Sequence, residues 1–285
     1  MDTGAIAADG PAAERLPASN RVVPRLLWRA SVASTNTELV RLAADAELPA
    51  FTTLITTDQT AGRGRLDRAW IAPAGTALAV SVLVRANADA AEALGWLPLA
   101  AGAAMFDAVT AVLPAGVSVG IKWPNDVQID GRKVCGILSE LVAPGAAAQG
   151  IAVVIGAGLN LTMSAGQLPV PTATSLALEG ADPIGSAGSA DSVELIDRVL
   201  AVYLRSLTEF VTALWQCDGD ASRSGLRMAV IERCSTIGRE VRVELPGGAE
   251  LRGRATGIDE QGRLRVRDDA DDVRAVAAGD IIHLR

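Results

Sequence analysis

The sequence predicts an α+β protein in which a main domain with a mixed sheet is followed by a small C-terminal β-barrel of the SH3-like kind. Short β-rich runs alternate with amphipathic helical patterns up to about residue 235. From Gly238 the pattern changes to short alternating strands between Gly-rich turns. At 285 residues and 49% hydrophobic composition, the chain is long enough for one large or two ordinary domains with a sizeable core.

Three segments are expected: a flexible extension over 1–24, which is rich in Ala and Pro, the main domain over 25–235, and the barrel over 236–285. The extension has no apolar stretch of the kind found in secretory signals. No run approaches the roughly 18 uninterrupted apolar residues of a membrane span. The three cysteines form no CxxC pair, so we expect reduced core thiols and a cytoplasmic protein.

The elements of the main domain follow from local patterns. Leu26–Ala30 is the first expected strand, and Ser34, Thr35 and Asn36 supply N-cap candidates for a helix over 37–46. β-Rich composition predicts further strands, and apolar residues at helical spacing predict further helices. The strands are expected at 50–57, 76–85, 117–122, 126–130, 134–143 and 150–158, and the helices at 94–113, 193–215 and 224–233. The Pro, Gly and Ser content of 164–192 predicts a loop.

The charge balance limits the chemistry. A net charge of −7 argues against a broad basic surface for nucleic-acid binding in this chain. The single histidine, His283, leaves no Ser-His-Asp triad and no His-rich metal site. Any reaction must therefore rely mainly on Arg, Lys, carboxylates, amides and the backbone.

Lysine is rare and clustered. Only Lys122 and Lys133 occur among 26 basic residues, both within KWPNDVQIDGRK. An ammonium is a compact point charge that suits a phosphate or a developing acyl oxyanion. Lys122 ends one expected strand and Asp126 begins the next, so both should lie at one end of a hairpin. Trp123 between them offers either an aromatic face for a ring or a core side chain.

A glycine and arginine loop, DQTAGRGRLDR, spans 58–68. Gly62 and Gly64 let backbone amides close around an anion, while Arg63, Arg65 and Arg68 can bind carboxylate or phosphate. Their mutual repulsion predicts a loop that is mobile until an anion neutralises it. A solvated surface loop or a nucleic-acid tether remains an alternative, and the third glycine of a dinucleotide fingerprint is absent.

The ordered series STN, DQTAGRGRLDRAW, KWPND, KVCGILSE and IGAGLN resembles the biotin protein ligases, which include the catalytic part of the biotin repressor. The resemblance runs from about residue 26 to the end, including TGIDEQGRL. It implies a class II synthetase-like biotin/lipoate ligase fold and a two-step reaction. Biotin and MgATP give biotinyl-5′-AMP and pyrophosphate, and a lysine of a biotin carboxyl carrier domain then takes the biotin. An Arg/Lys/Mg²⁺ site without histidine suits such chemistry.

The resemblance also implies residue roles. Lys122 would bridge the biotin carboxyl oxygen and the α-phosphate, Arg65 would hold the adenylate phosphate, and Asp126 would steer the incoming lysine. The residues expected to bind biotin are Ser34, Thr35, Asn36, Gln59, Gly62, Arg63, Gly64, Arg65, Lys122, Gly136 and Gly158. Those expected to bind the nucleotide are Arg63, Arg65, Arg68, Trp70, Lys122, Trp123, Asn125, Lys133 and Asn160. The Mg²⁺ ligands stay unassigned.

Two departures from the family pattern matter. About 25 unpatterned residues precede the main domain instead of a winged helix-turn-helix, so no DNA-binding repressor role is expected. Asp67 stands where the family often has glycine, which affects how the loop closes. The expected partners are biotin, ATP and the carrier domain of acyl-CoA or pyruvate carboxylases, without DNA or a membrane, in a monomer or weak homodimer.

The alternative function is a lipoate ligase or octanoyltransferase of the same fold. Octanoyltransferases use a catalytic cysteine, and Cys135 is the only cysteine in the motif region.

Overall fold

A seven-stranded mixed sheet forms the frame of the main domain in the computed structural model, which describes residues 14–44, 47–143, 150–182, 190–245, 248–277 and 279–284. The strands of the main domain are β1 (Leu26–Trp28), β2 (Thr53–Thr56), β3 (Gly62–Arg63), β4 (Ala69–Trp70), β5 (Ala77–Ala86), β6 (Val119–Lys122), β7 (Asp126–Ile129), β8 (Arg132–Leu141) and β9 (Ile151–Asn160). The sheet order is β1-β2-β5-β9-β8-β7-β6, and β3 pairs only with β4. Strands β1 and β2 are parallel and every other pair of the sheet is antiparallel, which confirms the mixed sheet.

The helices are α1 (Pro17–Asn20), α2 (Thr35–Leu42), α3 (Leu97–Thr110), α4 (Ala190–Gln216) and α5 (Leu226–Arg233). Helices α3 and α4 pack on each other, and α3 covers β6 to β9. The segment Ala90–Thr110, with a mean hydropathy of 1.3, is long and apolar enough to cross a membrane by length and composition. However, 67% of its most apolar window is buried, as in a core helix packed inside a folded domain.

Several element boundaries differ from the sequence prediction. Helix α2 begins at Thr35 because Ser34 caps it, its side chain accepting the amide of Thr37 at 3.4 Å. Helix α3 begins at Leu97, next to Pro98 in its first turn, and Ala88–Trp96 before it is 3-10 helical. Residues 62–70 form the short β3–β4 hairpin, which begins inside the 58–68 loop and which the sequence analysis did not predict.

The N-terminal segment is partly built into the fold. Residues 1–13 lie outside the described part, but Leu16 and Ser19 are fully buried. The Asp197 carboxylate on α4 accepts the amides of Ala18 and Ser19 at 3.0 and 2.8 Å and the Ser19 hydroxyl at 2.6 Å. The prediction of a flexible extension is therefore wrong for the α1 segment, because a buried carboxylate caps its amides.

The C-terminal part is a five-stranded antiparallel sheet. Its strands are β10 (Glu240–Glu244), β11 (Glu250–Ile258), β12 (Leu264–Arg267), β13 (Val273–Val276) and β14 (Asp280–His283), in the order β13-β12-β11-β10-β14. The expected antiparallel domain after the α+β main domain is confirmed, and closure into an SH3-like barrel stays a prediction.

The two parts share one hydrophobic core. The buried cluster of the main domain extends into Val241, Leu264 and Val266 of the C-terminal sheet. The indole N–H groups of two buried tryptophans also donate hydrogen bonds to the C-terminal part. Trp96 donates to the Glu260 carbonyl at 2.7 Å, and Trp123 donates to the Gly262 carbonyl at 3.0 Å.

Candidate active site

A cavity of about 220 Å³ lies between β5, β8 and β9 on one side and the 58–68 loop on the other. The loop reaches this position because its first part pairs with the chain just before α2: the amides of Thr60 and Ala61 donate to the carbonyls of Val32 and Ala33. The predicted site residues that line the cavity are Ser34, Thr35, Asn36, Gln59, Arg63, Gly64, Arg65, Arg68, Trp70, Asn125, Asp126, Lys133, Gly136 and Gly158.

One end of the cavity is lined by neutral hydrogen-bonding groups. The Gln59 side-chain oxygen accepts the Thr35 amide at 2.8 Å and lies 3.1 Å from the Thr35 hydroxyl. The Ser81 hydroxyl lies 2.8 Å from the Thr35 hydroxyl and donates to Asn36 Oδ1 at 2.6 Å. These bonds fix the polar side chains in one arrangement before any ligand enters.

Glycines on β9 allow close packing at the cavity floor. A Cβ on Gly156 would lie 2.1 Å from Asn36 Oδ1, and a Cβ on Gly158 would lie 2.7 Å from Cε2 of Trp70. The Asn36 amide and the Trp70 ring therefore lie directly on the backbone of β9, which no larger residue would permit.

Each arginine of the loop has a partner on another element. Arg63 pairs with Glu140 of β8 at 2.7 Å, Arg65 donates to Asn125 Oδ1 at 2.9 Å, and Arg68 pairs with Asp280 of β14. These polar partners offset the mutual repulsion of the arginines, and the expected mobility of the loop stays a prediction. The side chain of Asp67 lies outside the described residues, so its effect on loop closure stays a prediction.

The other end of the cavity combines lysines and carboxylates. Lys122 and Asp126 are direct partners in the β6–β7 register, which confirms the predicted hairpin end. Lys133 Nζ lies 2.6 Å from Asp126 Oδ1. Burial lowers the pKa of Lys122 below its ordinary value, and nearby Lys133 lowers it further, while Asp126 and Asp280 act in the opposite direction. A partly desolvated ammonium of this kind attracts an anionic ligand more strongly than one in water.

Four predicted residues do not form the cavity wall. Lys122 is the β6 partner of the lining residue Asp126 but does not line the cavity itself, and Gly62 is packed against Gln59 and Trp70. Trp123 is only 2% exposed and bonds to the C-terminal part, so of its two alternatives it takes the core position. The Asn160 amide, also buried, donates to the Thr174 carbonyl at 2.8 Å and anchors the following loop. Nucleotide contacts of these two residues stay predictions.

Sequence reasoning missed Ser81, Glu140, Gly156 and Asp280. Gly156 and Glu140 lie inside the quoted motifs IGAGLN and KVCGILSE, so the motifs themselves held that signal. Ser81 is a fully buried polar residue in the apolar run of β5 that precedes Arg85, and such a residue demands a buried partner. For Asp280 the local sequence carries no signal, because its partner Arg68 is 212 residues away.

The cysteine near the site is inert. Cys135 is 1% exposed, and burial raises the pKa of its thiol to about 12. Cys135, Cys217 and Cys234 are all free, as predicted. Within the described ranges, no group of three or more His, Cys, Asp or Glu is arranged to hold a metal ion.

A mixed sheet with a cavity over its glycine-bearing strands, closed by an arginine loop, defines a protein of the biotin and lipoate ligase class. Residues 28–160 match the family model described as the biotin/lipoate A/B protein ligase family. Residues 236–284 match the biotin protein ligase C terminal domain. Together with the relatives below, these matches show that the chain belongs to the biotin protein ligase family.

The relatives agree over nearly the whole chain. The biotin–[acetyl-CoA-carboxylase] ligase of Mycobacterium tuberculosis is 39% identical over 266 residues, covering 90% of each chain. The enzyme of that name from Paracoccus denitrificans is 31% identical, covering 83% of this chain and 92% of its own. The structure of the biotin protein ligase from Aquifex aeolicus in complex with biotin and ATP superposes with a TM-score of 0.69 at 24% identity, over 92% of this chain and 99% of that one.

Proposed function

We propose that this protein is an ATP-dependent biotin protein ligase, which forms biotinyl-5′-AMP and then transfers biotin to a lysine of a carboxyl carrier domain. The observation that carries the proposal is the two-ended cavity. A neutral hydrogen-bonding end and a charged end lie within one pocket, under one loop that contributes arginines to both. Biotin has the matching form, with an uncharged ureido ring at one end and a carboxylate at the other.

The neutral end would hold the ureido ring. Gln59 uses its oxygen on Thr35, and among the described residues its Nε2 protons have no hydrogen-bond acceptor, so they can donate to the ureido oxygen. The Ser34 and Thr35 hydroxyls lie beside it on the cavity wall. Uncharged donors and acceptors suit a neutral ring because no unpaired charge is buried on binding.

The charged end would carry out adenylation. A biotin carboxylate oxygen attacks the α-phosphorus of ATP, the bond to the bridging oxygen of pyrophosphate breaks, and pyrophosphate leaves. Negative charge develops on the phosphoryl oxygens, and Lys122, Arg65 and Arg68 are the cations close to that end. Preorganised positive charge at this position lowers the barrier because it needs no rearrangement during the reaction.

Mg²⁺ would enter with the nucleotide and neutralise its phosphates. Mg²⁺ is commonly held by one or two carboxylates together with substrate phosphates. Asp126 and Asp280, which line the charged end, fit that limited role.

In the transfer step the acceptor lysine attacks the carbonyl carbon of the mixed anhydride, and AMP leaves with the bonding electrons. The acceptor must lose a proton first, and an ammonium would be drawn toward a carboxylate. Asp126 on the cavity wall is the candidate, consistent with its predicted steering role.

The lipoate or octanoyl alternative is less well supported. An octanoyltransferase needs a cysteine thiolate, and the thiol of Cys135 is buried with a pKa of about 12. Lipoate has no ureido group, so the fixed Thr35–Gln59 arrangement would serve no purpose in a lipoate ligase.

The decisive experiment incubates the protein with labelled biotin, MgATP and a carrier domain of an acyl-CoA carboxylase. We expect label on the acceptor and release of one pyrophosphate per biotin transferred. Parallel reactions with labelled lipoate and octanoate are the controls. Label from either of these, with none from biotin, would overturn the proposal.

Several further properties belong to this proposal. The acceptors would be the carrier domains of acyl-CoA or pyruvate carboxylases, the protein would act in the cytoplasm as a monomer or weak homodimer, and it would bind neither DNA nor a membrane. The acidic net charge of −7 supports the last point for DNA. Light scattering and a DNA-binding assay at low salt would test the assembly state and the lack of DNA binding.

A further inference from the structure

Glu140 joins the loop to the cavity floor. Its two carboxylate oxygens have different partners: Oε1 accepts Arg63 Nη2 at 2.7 Å, and Oε2 accepts Asn36 Nδ2 at 2.7 Å. The residue lies near the end of β8 and is not part of the cavity wall itself. A single carboxylate therefore fixes one side chain of the 58–68 loop and one of the cavity floor.

The floor residue is held on every side. Asn36 donates its second amide proton to the Leu138 carbonyl at 3.2 Å, and its oxygen accepts from Ser81 at 2.6 Å. The backbone of Gly156 closes the remaining space. With both amide protons used, Asn36 cannot turn toward a ligand without leaving Glu140 or Leu138 unpaired.

The loop is fastened separately at its two ends. At the charged end, Arg65 contacts Asn125 and Arg68 pairs with Asp280. At the neutral end, Arg63 has Glu140 and also donates to the Thr37 hydroxyl at 3.1 Å. Loss of Glu140 would therefore loosen the Arg63 side chain over the neutral part of the cavity, while the backbone bonds of Thr60 and Ala61 and the contacts of the charged end stay in place.

We propose that Glu140 is a positioning residue, which holds Arg63 and Asn36 so that the loop retains biotin at the neutral end of the cavity. This inference rests on the proposed function. The Arg63 side chain is 48% exposed, so the ion pair itself adds little to folding stability. Its effect is geometric, because two charge-assisted hydrogen bonds fix the loop arginine and the floor amide relative to each other.

The test compares Glu140→Gln and Glu140→Ala with the parent protein. The glutamine side chain keeps the volume but presents an amide donor to either Arg63 or Asn36, both of which are donors, so one of the two contacts is lost. We expect KM and Kd for biotin to rise about tenfold, with KM for ATP and kcat at saturating biotin within about twofold of the parent. Pyrophosphate release and equilibrium biotin binding give these values.

Glu38→Gln is the matched control. The Glu38 and Glu140 side chains are each 24% exposed and each paired with an arginine, but Glu38 and Arg41 lie on α2 outside the cavity wall. This variant should leave KM for biotin unchanged. Thermal unfolding of all variants shows whether a change in KM occurs in folded protein. If Glu140→Ala does not fold, the volume-conserving Glu140→Gln still provides the comparison.

A double-mutant cycle separates positioning from general damage. If Glu140 acts through Arg63, Arg63→Ala should raise KM for biotin in the parent and change it little in Glu140→Ala. An unchanged KM for biotin in Glu140→Gln, an equal rise of both KM values, or fully additive effects would overturn the inference. A parent protein that activates no biotin would instead overturn the proposed function, and the inference with it. If the parent activates biotin and the Glu140→Gln variant behaves as the parent does, only the inference about Glu140 is overturned.

Discussion

At the scale of single residues, Lys122 is one of the two positions at which a chain that otherwise uses arginine keeps an ammonium. It faces Asp126 across the β6–β7 hairpin, and its partial burial lowers its pKa below the ordinary value although Asp126 acts in the opposite direction. In the proposed role at an α-phosphate, a guanidinium would not replace this ammonium, because it is larger, planar and always charged.

The first prediction concerns this charge. Lys122→Ala should lower the rate of biotin-dependent pyrophosphate release by about two orders of magnitude or more, because a preorganised cation at the α-phosphate is lost. Lys122→Arg should restore only a small part of that rate. Both variants should fold, as judged by circular dichroism. A Lys122→Ala protein that releases pyrophosphate at the parental rate would contradict the assigned role.

At the scale of elements, strands and helices followed from local pattern, whereas the contacts of the loop did not. The hydrophobic runs predicted β5, β9 and α4 closely, because a buried strand and an amphipathic helix leave a local periodicity. The arginines were identified, but not their partners, since Glu140 is 77 residues from Arg63 and Asp280 is 212 residues from Arg68. Contacts between distant segments depend on the sheet order, which no local window contains.

Trp123 illustrates the same limit. An aromatic residue beside a lysine motif can face a ligand or the core, and only the position of the C-terminal sheet decides between them.

The second prediction concerns the β3–β4 hairpin. A Cβ on Gly62 would lie 2.4 Å from the carbonyl oxygen of Trp70, so Gly62→Ala must force the two strands apart. We expect the biotin affinity to fall about tenfold or more, because the hairpin holds the arginine loop over the cavity. Gly166→Ala, where a Cβ would meet open space, is the control and should bind as the parent does. Equal affinity of the two variants would show that the hairpin does not shape the site.

The third prediction concerns α1. Asp197→Ala leaves the amides of Ala18 and Ser19 without their carboxylate acceptor, while the Ser19 hydroxyl keeps the carbonyl of residue 197 at 3.1 Å, so the free energy of unfolding should fall by about 2 kcal/mol. Glu194→Ala removes an exposed acid on the same helix, and its free energy of unfolding should fall by less than about 0.5 kcal/mol. Urea unfolding measures both values. Biotin affinity should stay unchanged in each case, and a similar loss of stability in both variants would contradict the capping role.

At the scale of the whole molecule, the two parts of the chain form one structural unit. They share a hydrophobic core, and the indole N–H groups of Trp96 and Trp123 find their only acceptors among the described residues in the C-terminal part. Asp280 of that part also lines the cavity. The C-terminal sheet is therefore a component of the site and of the core at once.

The fourth prediction uses His283, which lies at this boundary and contacts the Thr236 hydroxyl at 3.1 Å. Burial, with smaller effects of Lys122 and Arg239, lowers the pKa of His283 from 6.5 to about 4. Between these values the unfolded chain binds a proton that the folded chain does not, so the free energy of unfolding falls as the pH drops from about 6.5 to about 4.

The His283→Gln variant removes this titration while all carboxylates remain. Urea unfolding of both proteins across that pH range should show a smaller loss of unfolding free energy for the variant than for the parent. Parallel curves for parent and variant would mean that His283 titrates normally in the folded protein.

The placement of the lysines has a consequence for chemical labelling. Lys133 lines the cavity and Lys122 is the β6 partner of Asp126 at the same end, so an amine-directed reagent such as a succinimidyl ester finds its side-chain targets only in this part of the molecule. Lys133 is the more accessible of the two, and its ion pair with Asp126 would be disturbed by the reaction. Protection of Lys133 from acylation, followed by peptide mass mapping, thus becomes a direct footprint of ligand occupancy, with Lys122 as the only other lysine side chain in the sequence.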